Sequence, residues 1–448
     1  MTHLILLELN EINFDHVRHY VAAGRLPHLA RLMDAHGVSE TTSEARYEEL
    51  EPWIQWVTAH TGLTFAEHGV FRLGDILQTE VPQLWEVLEQ QGLRVAAMSP
   101  MNANNHCKNA AFFVPDPWTP APLTAGGLLK RLYGAIAQAV NDNAQARLTA
   151  GSLAALLVGA ARYARPGNYR SYARLAAAAK RGRPWAKAMF LDQLLADVFM
   201  VETRRGKPDF ASLFLNAGAH IQHHYMFNSP AYQGALKNPE WYVDANRDPV
   251  GEVYALYDRI VGQVRTAFPE ARLMIATGLH QDPHPELTFY WRLKDHAAYL
   301  KKLGVPFVGV EPRMSRDFLV SCASAEAAAH AQQILESAVA ADGGQLFEVD
   351  NRGSDLFVML TWPHDIPKDF AYRVGNALHH GLRDEVAFVA IKNGQHHGHG
   401  YFIDTGYTAA EMPGQFPLAA LPERICDALG TSWPFPRSAS QPARLTIS

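Results

Sequence analysis

The chain opens on a short apolar run, LILLEL (4–9), of strand length and broken by Glu8 alone, and apolar residues then recur at helical spacing from His16 to His36. LWEVLEQQG (84–92) repeats the helical spacing and LRVAAMS (93–99) repeats the apolar run. Continuous apolar strands alternating with amphipathic helices imply a parallel sheet covered on both faces, because such strands have no polar side to show to water. The pattern predicts an α/β fold with a doubly wound, mainly parallel sheet. In that architecture functional groups collect at the carboxyl ends of the strands.

The rhythm then changes twice. Residues 125–206 are rich in Ala, Leu and Arg at helical spacing, with a break at RPGN (165–168), and predict a helical insertion or cap. FASLFL (210–215) restores the sheet, followed by a polar His-rich loop, a helix over Val250–Ala267 and the strand ARLMIAT (271–277). RDFLVSC (316–322), a helix over Ala323–Ala341, LFEVD (346–350) and DLFVMLTW (355–362) predict a small α+β subdomain over 290–376, its last two strands joined by the turn NRGS. VAFVAIK (386–392) is expected to be the final strand of the main sheet. The core is thus assigned to 1–124, 207–289 and 377–430, and 431–448, with Pro434, Pro436 and Pro442, to an irregular C-terminal extension.

Composition narrows the function. At 48% hydrophobic and 19% charged residues the chain suits a protein with a large buried core. A formal net charge of −5 gives no electrostatic case for nucleic acid. MTHLILLELNEIN lacks a basic segment ahead of an apolar run and a small-residue cleavage site, so no signal peptide is expected, the expected compartment is the cytoplasm, and no membrane span is expected. Cys107, Cys322 and Cys426 are odd in number and far apart, which argues against a disulfide framework and against a thiolate zinc site. Histidine is the abundant chemistry: 21 residues, many in pairs or triplets, direct attention to a metal.

Specific motifs begin at Leu26. LPHLARLMDAHG (26–37) resembles "P-N-L-x-x-L-x-x-x-G", and WVTAHTGLTFAEHGVF (56–71) resembles "W-x-S-x-x-T-G-x-x-P-x-x-H-G-I". LWEVLEQQGLRVAAMSPMNANN (84–105) and FFVPDPWTP (112–120) are similar to "W-x-x-L-x-x-x-G-x-x-V-x-x-x-x-x-P" and "G-F-x-V-x-x-x-x-T-P". Later come GAHIQHHYMF (218–227), similar to "D-x-x-Q-H-x-x-W"; ATGLHQ (276–281), similar to "S-D-H-G"; NGQHHGHGYFIDTG (393–406), similar to "G-x-H-R-x-x-G-x-x-x-x-x-G"; and a closing helix LPERICDALG (421–430). In this order the segments resemble the alkaline phosphatase superfamily, in its type I phosphodiesterase/nucleotide pyrophosphatase branch. The likeness covers most of the chain outside the two insertions.

The resemblance implies a hydrolase in which two divalent ions hold a phosphoryl oxygen beside a Thr or Ser nucleophile. This chain departs from that pattern at the carboxylates. Asn10 stands at the position of the Asp that ends the first strand, Glu11 follows where glycine is usual, and Leu279 replaces the Asp ahead of His280. The nucleophile position falls within ELEPW (49–53), with Thr58 inside the helix that follows. Without those carboxylates the second metal has little to hold it. The first site keeps His220, His224 and His396, a set that suits one zinc per chain; a register four residues earlier places Asn216 and His220 there instead.

Candidate catalytic groups are therefore Asn10, Glu11, Glu49 and Glu51, candidate metal ligands His220, His224, His280 and His396, and candidate substrate contacts Asn216, Gln281, His397 and Gln55. Three functions remain open. The first is a metal-dependent hydrolase of a phosphate ester, phosphodiester or related ester. The second is a carboxylate enzyme on the same fold, using Glu11, Glu49 and Glu51, for instance on a glycosidic bond. The third is a binding protein without catalysis. Arg162, Arg165, Arg170, Arg174, Lys180, Arg181 and Arg183 in the helical insertion are either a solvated face or a cover over an anionic substrate, small or glycan-linked.

Overall fold

The first apolar run is the centre of an eight-stranded sheet in the computed structural model, which describes residues 2–141, 150–313 and 316–435. Residues 142–149 of the helical insertion, and Pro436 and Pro442 of the expected extension, lie outside the described residues. The labelled strands are β1 (Leu4–Leu9), β2 (Ser39–Thr42), β3 (Val95–Met98), β4 (Phe112–Val114), β5 (Phe210–Leu215) and β6 (Arg272–Ala276). The sheet order is Gln415–Pro417, β2, His399–Asp404, β6, β1, β5, β3, β4. From β6 to β4 neighbouring strands run parallel, and His399–Asp404 runs antiparallel to both β6 and β2.

Strand alternation divides β1 between two cores. Ile5, Leu7 and Leu9 pack with α1 (Phe14–Ala22), α2 (Pro27–His36) and the helices Trp185–Gly206 and Pro249–Ala267. Leu4 and Leu6 pack on the other face with Trp56 and Ala59 of α3 (Pro52–Thr61) and with Trp85 and Ile425. Glu8 shares the parity of Leu4 and Leu6; it is fully buried, with Oε1 3.3 Å from His60 Nε2 of α3.

Three local expectations are corrected. The periodic run 16–36 is two helices, because Gly24 adopts φ +71° and Pro27 starts the second. The His-rich segment is a helix, Ala217–Tyr225, and not a loop. VAFVAIK is not in the main sheet: it belongs to Val386–His397, which pairs antiparallel with β7 (His280–Leu293) in a two-stranded ribbon. Its Ile391 packs with Phe289 and Trp291 in a second core, whereas Phe402 and Ile403 of His399–Asp404 fill the main one. That second core also takes in the helix Ala325–Glu336 and a four-stranded sheet whose hairpin, Phe347–Asn351 with Asp355–Leu360, turns at NRGS. In the helical insertion the break at 165–168 is a single tight turn, Pro166–Asn168. Among the described residues no helix is long and apolar enough to cross a membrane.

Candidate functional site

The chain leaves β1 through a tight turn that places Glu11 at φ +59°. A non-glycine residue there costs about 1–2 kcal/mol, so its surroundings must hold it. Glu11 N donates to Thr277 O (3.1 Å) beyond β6, and Glu11 O accepts from Gln222 Nε2 (2.7 Å). The side chain is pinned as well. Asn10 Nδ2 donates to Glu11 Oε1 (3.0 Å) and Gln281 Nε2 to Glu11 Oε2 (2.5 Å). Asn10 in turn donates to Asn216 Oδ1 (2.8 Å) and accepts from Trp56 Nε1 (2.7 Å), so its amide is committed to orienting its neighbours.

The helix Ala217–Tyr225 presents the histidines. Its N-terminus is capped from a distance: Ala217 N donates to Asp192 Oδ2 (2.8 Å), Gly218 N to Tyr257 Oη (2.8 Å), and Tyr257 Oη to Asp192 Oδ2 (2.7 Å). No local sequence signal announces such a cap, which is why the segment reads as a loop. Buried Gln222 fixes the helix rotation through Glu11 O, Asn13 N (3.2 Å) and Tyr254 Oη (2.6 Å), and the next residue, His223, is thereby aimed at Glu11. Asp192→Ala would strand two buried donors and should destabilise the fold by about 2–4 kcal/mol, measured by denaturant unfolding. Burial raises the Asp192 carboxyl to about 6, with the donated bonds opposing. Since an unfolded aspartate titrates near ~3.9, the protonated group stabilises the fold at low pH and that contribution is lost as pH rises through about 6. The wild type should therefore lose stability relative to Asp192→Asn between about pH 4 and 7.

The ribbon brings the last donor. Its register pairs His396 with Gln281 and His397 with His280, so His396 and Gln281 share one face while His280, Asp282 and His397 share the other. A Cβ on Gly394 would meet Gln281 Oε1 and push aside the side chain that holds Glu11. On the first face Glu11 Oε2, His223 Nε2 and His396 Nε2 form a near-equilateral triangle with edges of 3.1, 3.2 and 3.3 Å. Glu51, at the N-terminus of α3, places Oε2 3.7 Å from His396 Nδ1, on the far side of that ring.

Electrostatics follow the geometry. Burial alone would raise the Glu11 carboxyl, but the charges and hydrogen bonds of His396 and His223 hold it far below the usual carboxylate range. Burial opposes a charged His396, and Glu11 followed by Glu51 outweighs it, raising that imidazole above its ordinary value. Burial raises Glu51, with His396 working against it.

Of the residues expected at the site, the structure brings together Glu11, Glu51 and His396, adds His223, and sets Asn10, Asn216 and Gln281 behind them. His220 and His224 lie outside the cluster: their rings face each other, centres 4.9 Å apart, and His224 Nδ1 points at Ile391 O (3.4 Å). His280 and His397 meet Asp282 on the opposite face, where His280 Nδ1 donates to His399 O (2.6 Å) and its Nε2 contacts Asp282 Oδ1 (3.1 Å). Glu49 lies 3.5 Å from Arg46, and Gln55 Nε2 donates to Glu49 O (2.8 Å). Thr58 is buried on α3 with Oγ1 3.2 Å from His68 Nε2. Thr58→Ala should leave turnover within about twofold and cost about 1 kcal/mol of stability, the usual worth of one hydrogen bond; a loss of several orders of magnitude in kcat would make Thr58 the nucleophile.

Sheet and site together define a doubly wound α/β protein with a carboxylate and two imidazoles converging at its strand ends. Solved structures of similar overall form include phosphonoacetate hydrolase from Sinorhizobium meliloti 1021 in complex with phosphonoacetate, 13% identical, with a TM-score of 0.43 and coverage of 96% of this chain and 95% of that one. Murine ectonucleotide pyrophosphatase/phosphodiesterase 5 is 10% identical, with a TM-score of 0.42 over 98% of each chain. Its human counterpart is 10% identical, with a TM-score of 0.43 over 98% of this chain and 97% of that one. No family model matches the chain, and no curated protein matches it. At identities and TM-scores this low, the chemistry has to come from this chain's own residues.

Proposed function

We propose that the chain is a metal-dependent hydrolase of a phosphoryl ester or a related ester, a divergent relative of the alkaline phosphatase superfamily that works with one zinc held by Glu11, His223 and His396. The observation that carries this reading is the triangle of donor atoms. Ligands of a tetrahedral zinc with bonds of about 2.1 Å stand about 3.4 Å apart, and the three edges here are 3.1, 3.2 and 3.3 Å. Two nitrogens and one carboxylate oxygen suit zinc better than calcium or magnesium, which prefer oxygen throughout. Three protein ligands leave a position open for substrate or water.

When bound, such an ion polarises a phosphoryl oxygen and lowers the pKa of water. The chain does the rest. Glu11 neutralises charge at the centre, and Asn10 and Gln281 keep its carboxylate from rotating away. Glu51, which faces His396 Nδ1 across the ring from the triangle, would help hold that imidazole in place, and water would attack directly, with no covalent Thr or Ser intermediate. Glu49 lies against Arg46 and takes no part in this reading. Cys107, Cys322 and Cys426 are all free, in keeping with a reducing cytoplasm.

The test is hydrolysis of p-nitrophenyl phosphate, bis(p-nitrophenyl) phosphate and p-nitrophenyl phenylphosphonate by protein treated with chelator and then titrated with zinc. Turnover of at least one ester that disappears with chelation and saturates at one equivalent of zinc supports the reading. Turnover indifferent to chelation moves the assignment to a metal-free enzyme.

A further inference from the structure

The ribbon carries more than His396. Ile391 pairs with Phe289, and both are buried in the second core. The alternating residues Thr288, Tyr290, Ala390 and Lys392 therefore turn to the opposite face. Lys392 pairs with Thr288 and Ala390 with Tyr290, so Lys392 and Tyr290 are diagonal neighbours within side-chain reach. Arg316, from the small subdomain, lies with Cζ 4.3 Å from the centre of the Tyr290 ring. That cation–π contact holds the guanidinium over the ring.

Lys392 and the site residue His396 lie on the same ribbon strand, Val386–His397. Burial raises the Tyr290 hydroxyl, with Arg316 opposing and the charge of Glu51 adding to the rise. Burial and then the Arg316 charge lower the Lys392 ammonium, with Glu51 opposing. The two cations thus repel each other, and neither makes an ion pair within 4.0 Å among the described residues. Half-buried like charges side by side cost desolvation and repulsion together unless an anion joins them.

We propose that Lys392 and Arg316 form an anion subsite at the mouth of the Glu11–His223–His396 centre, which takes a second oxyanion group on the substrate. The inference rests on the phosphoryl reading above and narrows it to substrates that carry a carboxylate or further phosphoryl group near the scissile one. Lys392 supplies a point charge from the ribbon, and Arg316 supplies directed donors from the subdomain. Because Arg316 belongs to the small subdomain, that subdomain becomes part of the specificity apparatus.

The test is a ratio of affinities, measured by titration calorimetry on the zinc-loaded protein with ethylphosphonate and 3-phosphonopropionate, which differ by one carboxylate. The wild type should bind 3-phosphonopropionate about tenfold more tightly or better, the size of a charge-assisted contact. Lys392→Met and Arg316→Gln should each bring the ratio towards one, with melting temperatures showing that both variants fold. A wild-type ratio near one, or a ratio preserved in both variants, overturns the subsite. Failure of ethylphosphonate to bind the wild type overturns the phosphoryl reading instead. The subsite then stands if 3-phosphonopropionate binds and both variants lose it, and it falls if that binding is unchanged or absent.

Discussion

Replacing His396 by alanine should remove both the metal and the activity, with zinc affinity falling by more than about 100-fold, a loss of the size that even outer partners of metal ligands produce. The residue supplies one corner of the triangle, and of the three corners it is the one carried by the ribbon. Two remaining ligands, Glu11 and His223, fall short of the three protein ligands that hold catalytic zinc. Direct measurement is by competition with a chromophoric zinc chelator. Added imidazole should recover part of the activity by refilling the vacated corner, whereas a merely misfolded variant would not respond. Activity within a few-fold of wild type in His396→Ala would remove the residue from the site.

Glu11→Gln should be as severe, for an electrostatic reason. The substitution keeps the shape of a side chain buried among Asn10, Gln281, His223 and His396, removes its charge, and replaces one of the two oxygens that accept from Asn10 and Gln281 with a donor. Against burial, His396 and His223 hold that carboxyl far below the usual range, so it is ionised and open to a divalent cation. An amide in its place offers a weak neutral oxygen, and zinc affinity should drop by about 100-fold or more, with kcat following at fixed zinc. Since glutamine inherits the left-handed backbone at φ +59°, backbone strain does not differ between the two proteins. Equal zinc affinity in the two would show that Glu11 is a structural acid.

Much of this was legible in the sequence, and the gaps have identifiable causes. The apolar runs at 4–9, 93–99 and 210–215 became β1, β3 and β5, because strands covered on both faces leave a signal that needs no neighbours to interpret. Glu11 was visible as an acid where the resemblance leads one to expect glycine, Glu51 as an acid within the 49–53 stretch where it leads one to expect a hydroxyl, and His396 as the late motif histidine. His223 was not visible. Its role depends on the rotation of a helix whose cap, Asp192, comes from the preceding helix, and whose anchor, Gln222, answers to Glu11 and Tyr254. The motif likeness that selected His220 and His224 points to residues whose rings face each other, while His223 is the one turned to Glu11. The ribbon was missed because Val386–His397 is apolar enough for the main sheet, and only the placement of Phe289 and Ile391 in a separate core decides against it. Lys392 and Arg316 carry no motif, and Tyr290 relates them, diagonal to the first on the ribbon and beneath the second.

The central claim is that Glu11, His223 and His396 hold one ion. Metal analysis of the purified wild type beside His223→Ala tests it most directly, because His223 is the ligand that the structure adds to the sequence reading. The account predicts one zinc per wild-type chain and none in the variant, with both proteins folded by circular dichroism. Two ions per wild-type chain, an ion retained by His223→Ala, or an active wild type that contains no metal would contradict it.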